Sequence, residues 1–240
     1  MPNKIFGKNV VTSAVESNRK FFEIYVSYQN LQSCEDILKY ANDRHVKINI
    51  VSRKEMDLKF PKDKHQGIVA FVEEYQYFDL DDILRDNESP FLIILDGLED
   101  PHNLGAILRT ADATNVDCVI IPKNRSVGLN STVAKVSTGA IEYVKVAQVT
   151  NLTQTIKKIK EYGVWVVGTD SDAEMSYNDI DGNMRVAVVI GSEGKGMSRL
   201  VKEQCDYLVN IPMNGHVNSL NASVSAALMM YQVFNDRNKQ

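Results

Sequence analysis

The chain predicts an α/β fold, with a largely parallel sheet in its C-terminal part and a smaller α/β module before it. The runs DCVII at 117–121, VWVVG at 164–168 and RVAVVI at 185–190 are almost continuously apolar, as expected of parallel strands covered on both faces. From Phe91 onward such runs alternate with helical stretches, the order that builds βαβ units. Three polar, glycine-bearing clusters also follow directly on apolar runs. They are NLGAILRT at 103–110 after FLIILD at 91–96, IGSEGKG at 190–196 after RVAVVI, and IPMNGHVNSLNASV at 211–224 after YLVNI at 207–211. Open α/β sheets bind ligands beyond the carboxyl ends of their strands, so the three loops point to one composite site and to an enzyme.

Along the chain, Val10, Val11, Ala14 and Val15 predict a helix, Phe22 to Val26 a strand and Cys34 to Ala41 a second helix. Val46 to Val51 and Gly67 to Val72 read as further strands. The acidic stretch DLDDILRDNESP at 79–90 ends in Pro90 and reads as a linker. The expected organisation is a small α/β domain over 1–75, a linker over 76–90 and the larger domain over 91–240.

A chain of 240 residues, 44% apolar and 24% charged, has the make-up of a soluble globular protein of one or two domains. Cys34, Cys118 and Cys205 form no CxxC pair, which argues against structural zinc and a disulfide framework and fits a reducing compartment. No long apolar core marks a signal peptide. The longest apolar helix, near 220–234, contains Asn221, Ser223 and Ser225 and is too short for a bilayer. A cytoplasmic protein without membrane or metal is expected. Net charge is −4, unevenly spread. Residues 1–67 hold 12 Lys and Arg against 8 Asp and Glu, and residues 68–89 hold 1 against 7. A local basic face governs attraction to phosphate, and the first segment can carry one, although an ordinary solvated surface has the same composition.

In the first cluster Leu104, Ile107, Leu108 and Ala111 form a buried helical stripe, and Asn103 is placed to cap its start. Arg109 lies off the stripe. Helical side chains lean toward the N-terminus, so it leans over Gly105 and Ala106, where its guanidinium can reach the loop at the helix start and grip a phosphate or ribose oxygen. A surface pair with Asp112 is the equally available alternative. The second cluster sets Gly191, Gly194 and Gly196 around Glu193 and fits neither the dinucleotide nor the P-loop fingerprint. Its glycines admit a flat ligand or supply positive φ. Glu193 has little packing purpose there, and it either bonds substrate or a neighbouring arginine or caps a helix near Met197. In the third cluster Ser219 or Asn221 caps a helix whose stripe is Leu220, Val224, Ala227, Leu228 and Tyr231. The same groups can instead meet a cofactor and a reacting hydroxyl. The small-residue face Ala222, Ser223, Ala226 and Ala227 suits close helix packing, including packing between subunits. His102 and His216 have no metal-ligand spacing and read as incidental loop residues.

Together the clusters resemble the three motifs of the SpoU-type (TrmH-like) RNA ribose 2′-O-methyltransferases of the SPOUT superfamily. Asn103, Gly105 and Arg109 match the first motif, and Gly191, Glu193, Gly194 and Gly196 the second. Ile211, Pro212, Ser219, Leu220, Asn221 and Ser223 match the third. GKNVVTSAVES at 7–17 and HQGIVAFV at 65–72 resemble the small RNA-binding domain of the subgroup that methylates a guanosine of large-subunit ribosomal RNA. The resemblance implies a trefoil-knotted methyltransferase domain, a homodimer with its site near the subunit interface, and S-adenosylmethionine as cofactor. Gly168, Gly191, Gly196, Ile211 and Leu220 are then expected at the cofactor, and Asn103 and Arg109 at the RNA. Arg109 is the family's catalytic residue. An arginine stays protonated, which favours holding the phosphate and stabilising developing alkoxide charge, with Glu193, Ser219 and Asn221 fixing its position and that of the ribose. The expected activity is ribose 2′-O-methylation of RNA, with ribosomal RNA as substrate. Transfer RNA is the alternative substrate, and a catalytically silent RNA-binding or ribosome-assembly factor the alternative class.

Overall fold

The structure, a computed structural model, describes residues 2–61, 63–217 and 219–239. In chain order its elements begin with β1 (Asn3–Phe6), α1 (Lys8–Glu16), β2 (Phe21–Ser27), α2 (Glu35–Asp43), β3 (Lys47–Val51), α3 (Arg53–Lys59) and β4 (Ile68–Val72). Next come α4 (Leu80–Asp86), β5 (Phe91–Asp96), α5 (Pro101–Ala113), β6 (Cys118–Pro122), α6 (Ser131–Val136), β7 (Val146–Val149) and α7 (Leu152–Glu161). The chain ends with β8 (Trp165–Thr169), β9 (Met175–Ser176), β10 (Val186–Gly191), α8 (Arg199–Lys202), β11 (Tyr207–Asn210) and α9 (Ala222–Arg237). It divides into two compact units. One runs to Gln76 and regains Leu129–Tyr143, and the other holds the rest. These bounds are not the continuous blocks read from the sequence.

The first unit carries a mixed sheet in the order β1-β4-β2-β3, with β4 antiparallel to β1 and β2, and β2 parallel to β3. Val10, Val11 and Ala14 of α1 are buried, and Phe6, Tyr25, Met56, Phe60 and Val69 form one cluster. The returning segment packs α6 against β1 and brings in Glu142. Arg19, only 6% exposed, bonds the Glu142 carboxylate at 2.6 Å and lies 3.7 Å from the Tyr75 ring centroid. A buried guanidinium needs such partners to offset its lost hydration.

The second unit holds a sheet in the order β7-β6-β5-β10-β8-β11-β9, parallel at every pairing. Leu92 and Ile94 join Ala187 and Val189 in a cluster completed by Ile83 and Leu84 of α4, Ile156 and Ile159 of α7 and Val201 of α8. The alternate residues Ile93, Leu95, Val188 and Ile190 are also buried, because strand side chains alternate between faces; α9 packs on β10 and on α5. Both faces are covered, which explains the unbroken apolar runs. The stretch read as a linker contains α4, whose Leu80, Ile83 and Leu84 are buried. The chain proceeds from β5 outward to β6 and β7, while β10 returns to the other side of β5. That reversal opens a crevice beyond the carboxyl ends of β5 and β10, whose last residues, Asp96 and Gly191, lie in register.

Candidate active site

The first motif starts one turn earlier than the sequence suggests. Asp100 caps α5 by accepting from the His102 amide at 2.8 Å, and Pro101 occupies the first helical position, where its missing N–H costs nothing. Asn103 is therefore not the cap. It is buried at 7% exposure, with its amide free for long-range bonds. Its Nδ2 donates to Glu193 Oε1 at 2.9 Å, and its Oδ1 accepts from Asn221 Nδ2 at 3.0 Å. Asn221 Nδ2 also donates to Glu193 Oε1. At the same time Asn221 caps α9, its Oδ1 accepting from the Ser223 amide at 2.9 Å and the Ser223 hydroxyl at 2.6 Å. Glu193 Oε1 further accepts from the Ala222 amide at 3.3 Å. It thus serves the positive end of α9 rather than a helix near Met197. One carboxylate ties the three motifs together.

Beside this cluster lies a cavity of about 470 Å³, within the range of small-molecule sites. Gly191, Glu193, Gly196, Ile211, Ser219 and Leu220 line it. Gly168 does not. A Cβ there would meet Met197 Cε at 2.7 Å, Cys205 Sγ at 2.8 Å and Leu208 Cδ2 at 2.9 Å, so this glycine makes room for neighbouring side chains beneath the site. The space at Gly191 is likewise used by protein, since an added Cβ would lie 2.2 Å from the Gly196 carbonyl carbon. Gly194 and Gly196 supply the turn, at φ 77° and 65°.

The structure does not bring Arg109 to the cluster. Its side chain is exposed, does not line this cavity and makes no hydrogen bond or ion pair with a described residue, Asp112 included. Arg109 lies six residues beyond Asn103, about 9 Å along the helix and well round its circumference. The buried face of α9 also differs from expectation. Ala222, Ala226, Met229, Met230 and Val233 are buried, so the small residues pack within the chain, while Val224 and Tyr231 of the predicted stripe are 46% and 45% exposed. The helix is apolar on both faces, and periodicity cannot say which one the core takes.

Asp170 is a lining residue that the sequence reading passed over. Burial pushes its carboxyl up, but the Lys202 ammonium and the Asp172 amide outweigh this and hold it below the usual carboxylate range. It remains a charged acceptor inside the cavity. The available signal was its place just past β8, the same logic that singled out Glu193. Among the described residues no group of three or more His, Cys, Asp or Glu is placed to hold a metal ion, and no helix is long and apolar enough to cross a membrane.

A parallel α/β unit whose three loops join at a strand-end crevice has the architecture of a ligand-binding site, and comparison with known proteins specifies it. The model of the SpoU rRNA methylase family matches residues 90–231, and that for RNA 2′-O ribose methyltransferase substrate binding matches residues 4–78. YacO of Bacillus subtilis, whose name places it in the TrmH family of tRNA/rRNA methyltransferases, is 49% identical over 239 residues, covering 98% of this chain and 96% of its own. Among solved structures, the SpoU methyltransferase AviRb from Streptomyces viridochromogenes in complex with AdoMet has a TM-score of 0.85 at 23% identity, covering 99% of this chain and 91% of its own. A second, described as an RNA 2′-O ribose methyltransferase, has a TM-score of 0.80 at 25% identity, covering 98% and 88%. This chain belongs to the SpoU family of RNA methyltransferases.

Proposed function

We propose that this enzyme transfers a methyl group from S-adenosylmethionine to the ribose 2′-hydroxyl of a guanosine in large-subunit ribosomal RNA. The observation that carries the proposal is the bonding of Asn103, Glu193 and Asn221 into one cluster beside a cavity. The cavity fits the donor. Ile211, Met213 and Leu220 offer apolar surface, Asp170 an acceptor for hydroxyl groups, and the 191–196 loop backbone polar groups. When bound, S-adenosylmethionine supplies an activated methyl group on a sulfonium. The chain's own residues align the acceptor oxygen, and alignment alone lowers such a barrier by several kcal/mol. Glu193 fixes Asn103 and Asn221, while Ser219 presents a hydroxyl at the cavity wall. Arg109 holds the nucleotide's phosphate and stabilises charge developing on the ribose oxygen.

Arg109 has no partner among the described residues, which suits engagement of RNA and, in a homodimer, of a site near the subunit interface. The outward apolar residues Val224 and Tyr231 give a second copy a surface to cover. The first unit serves as the RNA-binding domain. The family descriptions matching both parts of the chain support an RNA substrate, and the name of the first group favours ribosomal RNA. Transfer RNA stays as a second reading because the name of the 49% identical relative includes it. Labelled donor offered to ribosomal and transfer RNA from cells lacking the enzyme tests all of this. The expected product is 2′-O-methylguanosine in large-subunit RNA. Label in transfer RNA alone selects the second reading, and absence of transfer refutes both.

A further inference from the structure

We infer that a second cavity receives the base of the target nucleotide, and that Glu99 and Arg125 read it as guanine. The inference rests on the methyl-transfer reading above and names the residues that select the base. This cavity, about 700 Å³, opens beyond the ends of β5 and β6. It shares Glu193 with the donor cavity, so a nucleotide held there brings its ribose to the carboxylate that binds Asn103 and Asn221.

Three charged side chains of its lining, Glu99, Arg125 and Lys195, have no partner among the described residues, and Lys195 also lines the donor cavity. Glu99 and Arg125 are both exposed, and neither makes a hydrogen bond or ion pair with a described residue. Their backbones are nevertheless adjacent, since the Leu98 carbonyl accepts from the Val127 amide at 2.9 Å and from the Ser126 hydroxyl at 3.2 Å. Opposite charges on neighbouring segments lining one cavity, yet unpaired, offer an acceptor and a fork of donors to a molecule between them. Arg125 holds φ at 55°, the left-handed region that non-glycine residues seldom adopt.

Guanine complements this pair. Its O6 and N7 accept two bonds from an arginine, and its N1–H and 2-amino group donate to a carboxylate. Adenine sets an unprotonated ring nitrogen against that carboxylate, and uracil has no edge with two adjacent acceptors for the arginine. Leu200, 54% exposed, lines the same cavity and offers the apolar surface on which an extruded base rests while polar groups read its edge.

Two measurements on the full chain test the assignment. Ligand-observed NMR with guanosine, adenosine and uridine monophosphates is expected to give the guanosine form roughly tenfold tighter binding, in line with the discrimination of a bidentate base contact. Glu99→Ala and Arg125→Ala should each remove that preference. Calorimetric affinity for S-adenosylmethionine should stay unchanged, because neither residue lines the donor cavity. Equal binding of the three nucleotides, or a preference that survives both substitutions, overturns the assignment. Methylation of RNA from cells lacking the enzyme should lose roughly 10- to 100-fold in kcat/KM in either variant, and an unchanged value overturns it too. A wild-type chain that methylates no RNA defeats the methyl-transfer reading, while the mononucleotide preference still decides the pocket.

Discussion

Arg109 and Asn103 stand six residues apart on one helix and are used in opposite ways. Asn103 is buried and bonded on both sides of its amide; Arg109 is exposed and bonded to nothing described in the chain. Replacing an exposed, unpartnered side chain usually changes stability by no more than about 0.5 kcal/mol. Removing a group aimed at developing charge costs roughly 100-fold or more in turnover. Arg109→Ala should therefore keep the wild-type urea midpoint and lose methyl transfer by that factor. Near-wild-type turnover would refute the role assigned to it. The sequence singles these residues out, because a carboxylate in a glycine loop and an arginine off the apolar stripe have little structural purpose. It does not show their partners. Asp100 and Pro101 compete for the helix start and win, which displaces Asn103 from the cap, and no local spacing reports that Asn103, Glu193 and Asn221 converge from positions up to 118 residues apart.

Among the elements, the parallel strands were the easiest to read, since burial on both faces leaves no polar alternation. The helix α4 was missed because its charge was more conspicuous than its pattern. Seven acidic residues between 68 and 89 suggested a solvated linker, yet Leu80, Ile83 and Leu84 sit at i, i+3 and i+4, and Asp79 caps the helix by accepting from the Asp81 amide at 2.8 Å. Leu84 is 1% exposed and belongs to the same cluster as Leu92 and Ile94 of β5. Leu84→Ala should cost about 2–5 kcal/mol, the usual range for emptying a core leucine site, read as a lowered denaturant midpoint. A true linker position would show no shift. For α9 the period was correct and the phase wrong, because apolar residues on both sides leave the choice of face to tertiary packing.

At the scale of the whole molecule, ionisation and chain threading both bear on stability. Burial pushes the Cys118 thiol up to about 12 and the Cys205 thiol up to about 11, whereas unfolded cysteine ionises near pH 8.5. As pH rises above roughly 9, the unfolded chain releases protons that the folded chain retains, so stability present at neutral pH is lost on the alkaline side. Thermal unfolding scanned from pH 7 to 10.5 should show this decline, and Cys118→Ala should flatten it. The threading carries a stronger consequence. The first unit is not continuous in sequence, because Glu142 lies 123 residues from the Arg19 it neutralises. The pair is 6% and 5% exposed, and removing one partner of a buried pair leaves an uncompensated charge, at a cost of about 3–5 kcal/mol. Glu142→Ala should destabilise by that order. Glu142→Gln keeps an oxygen for the guanidinium and should lose less, while Arg19→Met with Glu142→Leu, which removes both charges and keeps volume, should recover much of the loss. A fragment ending at Gln76 lacks Glu142 and the α6 segment altogether and should show weak amide protection from hydrogen exchange, although the sequence reading treated 1–75 as a self-contained domain. If that fragment were as protected as the same residues in the full chain, the returning segment would have no part in stabilising the first unit.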